Sequence, residues 1–151
     1  MKLAFIGTGK IIADALFAIE PIKEIEKTAI FARPHSKEKA EAFAKQYNIA
    51  EVYTDYEKLL TETAADTVYI GLINSAHYAK QALLHGKNVI LEKPFTGFYN
   101  EAQELQQIAE ENKLFIFEAV TVLHNEVFYE MKKNVEKLST LRMALCNYSQ
   151  Y

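Results

Sequence analysis

Apolar residues recur along this chain in two alternating patterns, short unbroken runs and stripes at helical spacing. Residues 3–6 (Leu-Ala-Phe-Ile) are a continuous apolar run, as expected of a strand buried on both faces. Gly7-Thr8-Gly9 interrupts it, and Lys10 to Ile19 reads as a helix that stops ahead of Pro21. Residues 28–33 form a second strand. Ser36 is placed to cap a helix with Ala40, Phe43, Ala44 and Tyr47 on its inner face, and Asn48 is its stop. Glu51 to Tyr53 is a short third strand, and Asp55 caps a helix carrying Tyr56, Leu59 and Leu60. The fourth strand spans 67–72, and a helix from about Ser75 closes at Gly86. Asn88 to Leu91 is the fifth strand. Asn100 caps a helix over 101–111 with Leu105, Ile108 and Ala109 inward, and residues 114–117 are the sixth strand. This alternation with short links predicts an α/β fold: an open, mostly parallel, doubly wound sheet.

The last section breaks the alternation. Residues 125–138 are helical, with Val127, Phe128, Met131, Val135 and Leu138 on one face, and residues 140–148 read as a strand. A strand with no element after it reads better as the opening of a second domain than as part of the first sheet. The expected division is 1–120 as the doubly wound domain, 121–139 as a connecting helix, and 140–151 as the start of a further domain. Such an unpaired edge and apolar face would favour self-association, and a homo-oligomer is the expectation for the full-length protein.

Bulk properties narrow the function. The chain has 151 residues, half of them hydrophobic, enough for a real core. Seventeen basic and 20 acidic residues are interspersed, for a net charge of −3, and with no basic block nucleic acid is not an expected partner. Apolar runs fall far short of the roughly 20 residues that span a membrane, and the residues after Lys2 do not form a signal peptide. The expected compartment is the cytoplasm. Cys146 is the sole cysteine, so no disulfide framework or cysteine metal cluster is expected within one chain, and no metal site is assigned.

In open α/β sheets ligands bind beyond the carboxyl ends of the strands, so the residues following each strand carry the chemistry. After the first, Gly7 permits a tight turn, and Gly9 lets an anion approach the backbone. The free N–H groups of the next helix then face that anion. This is the layout that receives a dinucleotide diphosphate, or else an ordinary glycine turn. Ile12 stands where a third small residue is expected, and Ala13 is the candidate for its packing role. After the second strand no acid occurs between Phe31 and Lys37. Arg33, Ser36 and Lys37 suit a 2′-phosphate, which predicts NADP over NAD, against the alternative of a solvated basic corner. After the fourth strand come Asn74 and Ser75, which can cap a helix, and His77, either a surface residue or a substrate contact. After the fifth come Glu92 and Lys93. Pro94 restricts the backbone of Lys93, which is either an aimed ammonium or a surface lysine at a strand end. Glu118 follows the sixth strand, to meet the cofactor or to cap a turn, and His124 precedes the last helix.

Taken in order, these segments resemble the glucose–fructose oxidoreductase / inositol 2-dehydrogenase (Gfo/Idh/MocA) family of NAD(P)-dependent oxidoreductases. The matching residues are Gly7-Thr8-Gly9-Lys10-Ile11, Ala32-Arg33, Lys37-Glu38-Lys39-Ala40, Phe43-Ala44, Asn74-Ser75-Ala76-His77, Gly86-Lys87-Asn88-Val89, Glu92-Lys93-Pro94 and Glu118-Ala119. The resemblance implies an α+β domain after an NAD(P)-binding Rossmann-type domain in which Gly7 and Gly9 hold the diphosphate of NADP or NAD, with Thr8, Lys10 and Ile11 beside them at the cofactor and Arg33 at the adenosine end. It also implies that Asn74, His77 and Glu92 line a nicotinamide pocket, and that Lys93 is the catalytic, substrate-facing lysine. The implied reaction is hydride transfer between nicotinamide and a carbinol carbon of a sugar, cyclitol or related polyol. Ile12 and Ile73 depart from the family's pattern, and the family's second domain is not in this sequence. Residues 1–151 alone are therefore expected not to turn over substrate. The competing reading is a non-catalytic dinucleotide-binding or redox-sensing module.

Overall fold

A computed structural model describes residues 1–73, 75–138, 140 and 142–147. Residues 1–119 and 120–151 are two separate compact units. In the first, six strands alternate with helices: β1 (Lys2–Ile6), α1 (Lys10–Ile19), β2 (Glu26–Phe31), α2 (Lys37–Tyr47), β3 (Glu51–Tyr53), α3 (Tyr56–Glu62), β4 (Thr67–Ile70), α4 (Ser75–Leu84), β5 (Asn88–Leu91), α5 (Tyr99–Glu111) and β6 (Ile116–Glu118). All pairings are parallel, in the order β3-β2-β1-β4-β5-β6. This is the doubly wound Rossmann-like fold that the alternation predicts, and its strand order reverses direction at β1.

Two apolar layers explain the arrangement. On one face Ala4, Ile6, Val68, Ile70, Val89 and Leu91 meet helix residues including Leu59, Leu83 and Leu105 from α3, α4 and α5. On the other, Leu3, Phe5 and Ile30 meet Ile12 and Leu16 of α1 and Ala40 and Tyr47 of α2. Phe5, Leu16, Leu59 and Leu83 are fully buried, each such side chain contributing about 1.5–3 kcal/mol of transfer free energy. Thr28 is buried with its hydroxyl donating to the Leu3 carbonyl at 3.2 Å. At the amino edge, Asp66 Oδ2 accepts the Lys2 N–H at 3.0 Å and Oδ1 accepts the Thr67 hydroxyl at 2.6 Å.

Helix ends follow local chemistry, with three revisions. Asp55 caps α3 by accepting the Lys58 N–H at 3.1 Å. Asn48 ends α2 in the left-handed conformation, φ 53°, and Gly86 follows α4 at φ 73°. Ser36 makes no side-chain cap, because a 3-10 turn over Pro34–Ser36 feeds directly into α2. Helix α5 starts ahead of the expected Asn100 cap, with Phe98 at the N-cap position. There the Thr96 hydroxyl donates to the Phe98 carbonyl at 2.9 Å. The sixth strand lies later than expected because Leu114 is used to close α5, its N–H donating to the Ala109 carbonyl at 2.8 Å.

In the second unit a 3-10 turn over Thr121–His124 leads to α6 (Glu126–Val135), with Asn125 Oδ1 accepting the Val127 N–H at 2.8 Å. Val127, Met131, Val135 and Leu138 are exposed. The strand expected over 140–148 is not formed among its described residues, 140 and 142–147; residues 141 and 148 lie outside them.

Lys113 closes α5 at φ 58°, a conformation unfavourable for a residue with a Cβ and natural to glycine. Lys113→Gly is expected to raise stability by about 0.5–1 kcal/mol after allowing for the freer unfolded chain. The measurement is the urea midpoint at unchanged slope; a lower midpoint would contradict it.

Candidate functional site

The ladder runs one residue past several strand ends and levels the carboxyl edge. Gly7 N–H donates to the Phe31 carbonyl at 2.9 Å, Gly71 N–H to Ile6 at 3.0 Å, and Glu92 N–H to Ile70 at 3.0 Å. Gly7 has φ 119°, and a Cβ there would lie 3.0 Å from Leu72 Cδ2, so a side chain is disfavoured twice. Gly9 occupies the N-cap of α1, where no side chain caps the helix and no acid stands in the first turn. A Cβ on Gly9 would meet nothing within 4 Å. Gly9, Lys10 and Ile11 are exposed, so the start of α1, its positive end, is uncapped and open to solvent. Thr8 is buried. These residues fit a diphosphate.

The small partner needed for close packing lies on the strand. A Cβ on Gly71 would come 2.7 Å from Ile12 Cδ1 and 2.9 Å from Ile11 Cγ2. Ile12 is fully buried and fills the space that Gly71 leaves. Ala13, expected in that role, is only half-buried. Sequence reading missed Gly71, although a lone glycine at a strand end is a signal of close backbone approach.

Beside this corner, beyond β4 and β5, lies a cavity of about 530 Å³. Ile11, Gly71, His77, Glu92, Lys93 and Phe98 are among the residues lining it. The structure therefore brings Ile11, His77, Glu92 and Lys93 together. His77 is exposed on the first turn of α4, with Nε2 3.2 Å from Gln81 Nε2. Lys93 is exposed and precedes a cis peptide bond to Pro94. Glu92 Oε1 accepts a hydrogen bond from the Tyr69 hydroxyl. Burial, then the hydrogen bond and charge of Glu92, hold the Tyr69 phenol well above its ordinary pKa, so it remains a donor. Glu118 Oε1 accepts the Phe95 N–H at 2.8 Å. Asn74 lies outside the described residues.

The basic corner is set apart at the end of β2. The strand ends at Phe31, and Arg33 stands exposed in extended conformation at the head of the 3-10 turn. Arg33 has no ion-pair partner among the described residues. Lys37 is paired with Glu41 at 3.5 Å. Ser36 is half-buried between them. Sheet order sets these groups in a row: Arg33 beyond β2, the glycine pair beyond β1, then the cavity beyond β4 and β5. At about 4.8 Å per strand the row runs for roughly 14 Å. Among the described residues, no helix is long and apolar enough to cross a membrane, and no group of three or more His, Cys, Asp or Glu could hold a metal ion.

An open glycine corner at the reversal of strand order defines a nucleotide-binding domain of the doubly wound class. The model of the oxidoreductase family with an NAD-binding Rossmann fold matches residues 1–120. The chain belongs to that family, the NAD(P)-binding Gfo/Idh/MocA oxidoreductases. It is 32% identical over 153 aligned residues to scyllo-inositol 2-dehydrogenase (NADP(+)) IolU of Bacillus subtilis, covering 100% of this chain and 46% of that one. It is 29% identical to trans-1,2-dihydrobenzene-1,2-diol dehydrogenase of Xenopus tropicalis, covering 87% of this chain and 40% of that one. Among solved structures, it is similar to KijD10, a 3-ketoreductase from Actinomadura kijaniata in complex with NADP and TDP-benzene. That match has a TM-score of 0.84 and 28% identity, over 91% of this chain and 42% of the other. The chain spans less than half the length of these relatives.

Packing of α1 on Gly71 is open to a direct test. Gly71→Ala is expected to cost about 1–3 kcal/mol by overpacking. Ile12→Val alone is expected to cost about 0.5–1.5 kcal/mol. Because it removes the nearest clashing methyl, the double variant should cost less than the sum. Additive denaturant midpoints would refute the contact.

Proposed function

We propose that residues 1–120 hold NADP in preference to NAD, and that the protein transfers hydride between the nicotinamide and a carbinol carbon of a sugar, cyclitol or related polyol. The observation that carries this reading is the open glycine corner adjoining the cavity that Glu92 and Lys93 line, on one sheet edge. Gly7, Thr8, Gly9, Lys10 and Ile11 cradle the diphosphate. Asn74, His77 and Glu92 are assigned to the nicotinamide end. The bound cofactor supplies or accepts hydride at its C4 atom. The chain's own part is to orient the carbinol carbon, with Lys93 Nζ giving or taking the hydroxyl proton. Preference for NADP is supported by Arg33, which has no ion-pair partner among the described residues, by the lack of an acid between Phe31 and Lys37, and by the NADP(+) in the name of the Bacillus relative. Fixed positive charge beside Ser36 suits a 2′-phosphate. Because the relatives run to more than twice the matched length, we assign residues 1–120 to the cofactor half, 121–139 to a connector and 140–151 to the opening of a second domain, with turnover requiring that domain.

The test is thermal denaturation with NADP, NADPH, NAD and NADH in turn. At a hundredfold excess over Kd a ligand stabilises by about 2.7 kcal/mol, which corresponds to roughly 5–11 °C here. NADP(H) should produce the larger shift. Arg33→Ala should weaken NADP about tenfold and leave NAD within about twofold. An equal or larger shift with NAD would overturn the preference, and no shift with any of the four would overturn dinucleotide binding. In the full-length protein, Lys93→Ala should lower kcat by about a hundredfold or more; intact turnover would favour the non-catalytic module.

A further inference from the structure

Two side chains on neighbouring strands converge on the turn that carries Lys93. From β4, Tyr69 pairs in register with Ile90, so Glu92 lies on the same sheet face two residues further on. A tyrosine ring is long enough to cover that diagonal, and its hydroxyl reaches the Glu92 carboxylate. From β6, Glu118 is in register with Leu91. Its carboxylate reaches past the strand end to the Phe95 N–H at 2.8 Å. Phe95 itself packs its ring against the core layer of α3, α4 and α5. The turn is thereby tied at both ends, at Glu92 and at Phe95, and Lys93 is the charged group left between them.

The ties are of the stronger kind, since each acceptor is a carboxylate. Glu118 has no cationic partner among the described residues; it spends its charge on a backbone amide. Nor does Glu118 line the cavity, whereas Glu92, Lys93 and Pro94, which the ties hold, all do. Displacement of a reacting group by about 1 Å is enough to cost a large factor in rate, so a turn projecting beyond the sheet edge needs such restraint.

We propose that Tyr69 and Glu118 are positioning residues, a two-sided clamp that fixes the wall formed by Glu92 and Lys93 against the bound dinucleotide. The clamp's role toward the cofactor rests on the function proposed above; its mechanical role does not. Glu118 therefore acts through Phe95 rather than by touching the cofactor, and Tyr69 acts through Glu92.

The test uses the intact chain and two readouts. The first is hydrogen exchange of the Phe95 amide without cofactor. Glu118→Ala should speed it about tenfold or more, while Glu118→Gln, which keeps an acceptor oxygen, should stay within about threefold. The slowest amides of β1 and β4 report whether the fold is otherwise intact. The second readout is the NADPH dissociation constant. Tyr69→Phe and Glu118→Ala should each weaken it about fivefold, and Glu118→Gln should restore it to within about twofold. Unchanged Phe95 exchange in Glu118→Ala overturns the clamp. So does an affinity that both Tyr69→Phe and Glu118→Ala leave untouched, or one that Glu118→Gln weakens as much as alanine does. Failure of the parent chain to bind NADPH counts against the dinucleotide reading and the clamp's role toward it, while the exchange result still decides the mechanical part.

Discussion

How closely the first helix can approach the end of the fourth strand governs the whole carboxyl edge. A helix N-terminus is useful to an anion only when its amides and the adjoining turn are held at one height against the sheet. Here the contact is made by two isoleucines lying over a glycine. Ile12 is buried in the layer shared by α1 and α2, and Gly71 gives it the space its side chain needs. Glycine-rich dinucleotide sites commonly place the small residue on the helix. In this protein the bulk is on the helix and the absence of bulk is on the strand, so the separation is kept with the roles exchanged. Gly7, touching Leu72 one residue beyond Gly71, completes the same contact.

Opposite edges of the sheet treat polar groups differently. At the amino edge the chain satisfies them internally: Asp66 bonds to Lys2 and Thr67, Asn88 accepts the Phe115 N–H at 2.9 Å, and Lys87 donates to the Ala65 carbonyl at 2.7 Å. At the carboxyl edge the opening amides of α1 have no side-chain cap. Leaving donors without a protein partner is tolerable where water or a ligand can reach them. Membership of an NAD(P)-binding family agrees with this asymmetry.

Much of the fold was legible because its signals are local. The apolar runs of β1 and β5, the Asp55 cap, the left-handed Asn48 and the glycine after α4 all act within a few residues of themselves. The misjudged boundaries were decided by equally short-range bonds that the type of the boundary residue does not announce. Asn100 has the better capping side chain, yet the start of α5 is set by the turn that Thr96 forms. Leu114 looks like a strand residue but is consumed in closing the preceding helix. Residues 140–148 have the alternation of a strand, and a strand exists only with a partner. At the candidate site, the order of motifs announced the glycine corner and the cavity beyond β4 and β5. Gly71 and Tyr69 escaped notice because their importance depends on register with β1 and β5, which no periodicity encodes.

Tyr69 also belongs to the interior. Its ring lies 6.0 Å from that of Phe5, centroid to centroid, and Phe5 is fully buried beneath α1 and α2. One rigid side chain thus has its flat body in the hydrophobic layer and its oxygen on an acidic group at the cavity wall. If Tyr69 positions Glu92 as proposed above, conservative repacking around Phe5 would be transmitted along this lever. In this domain a single aromatic ring joins the hydrophobic layer to the wall of the cavity.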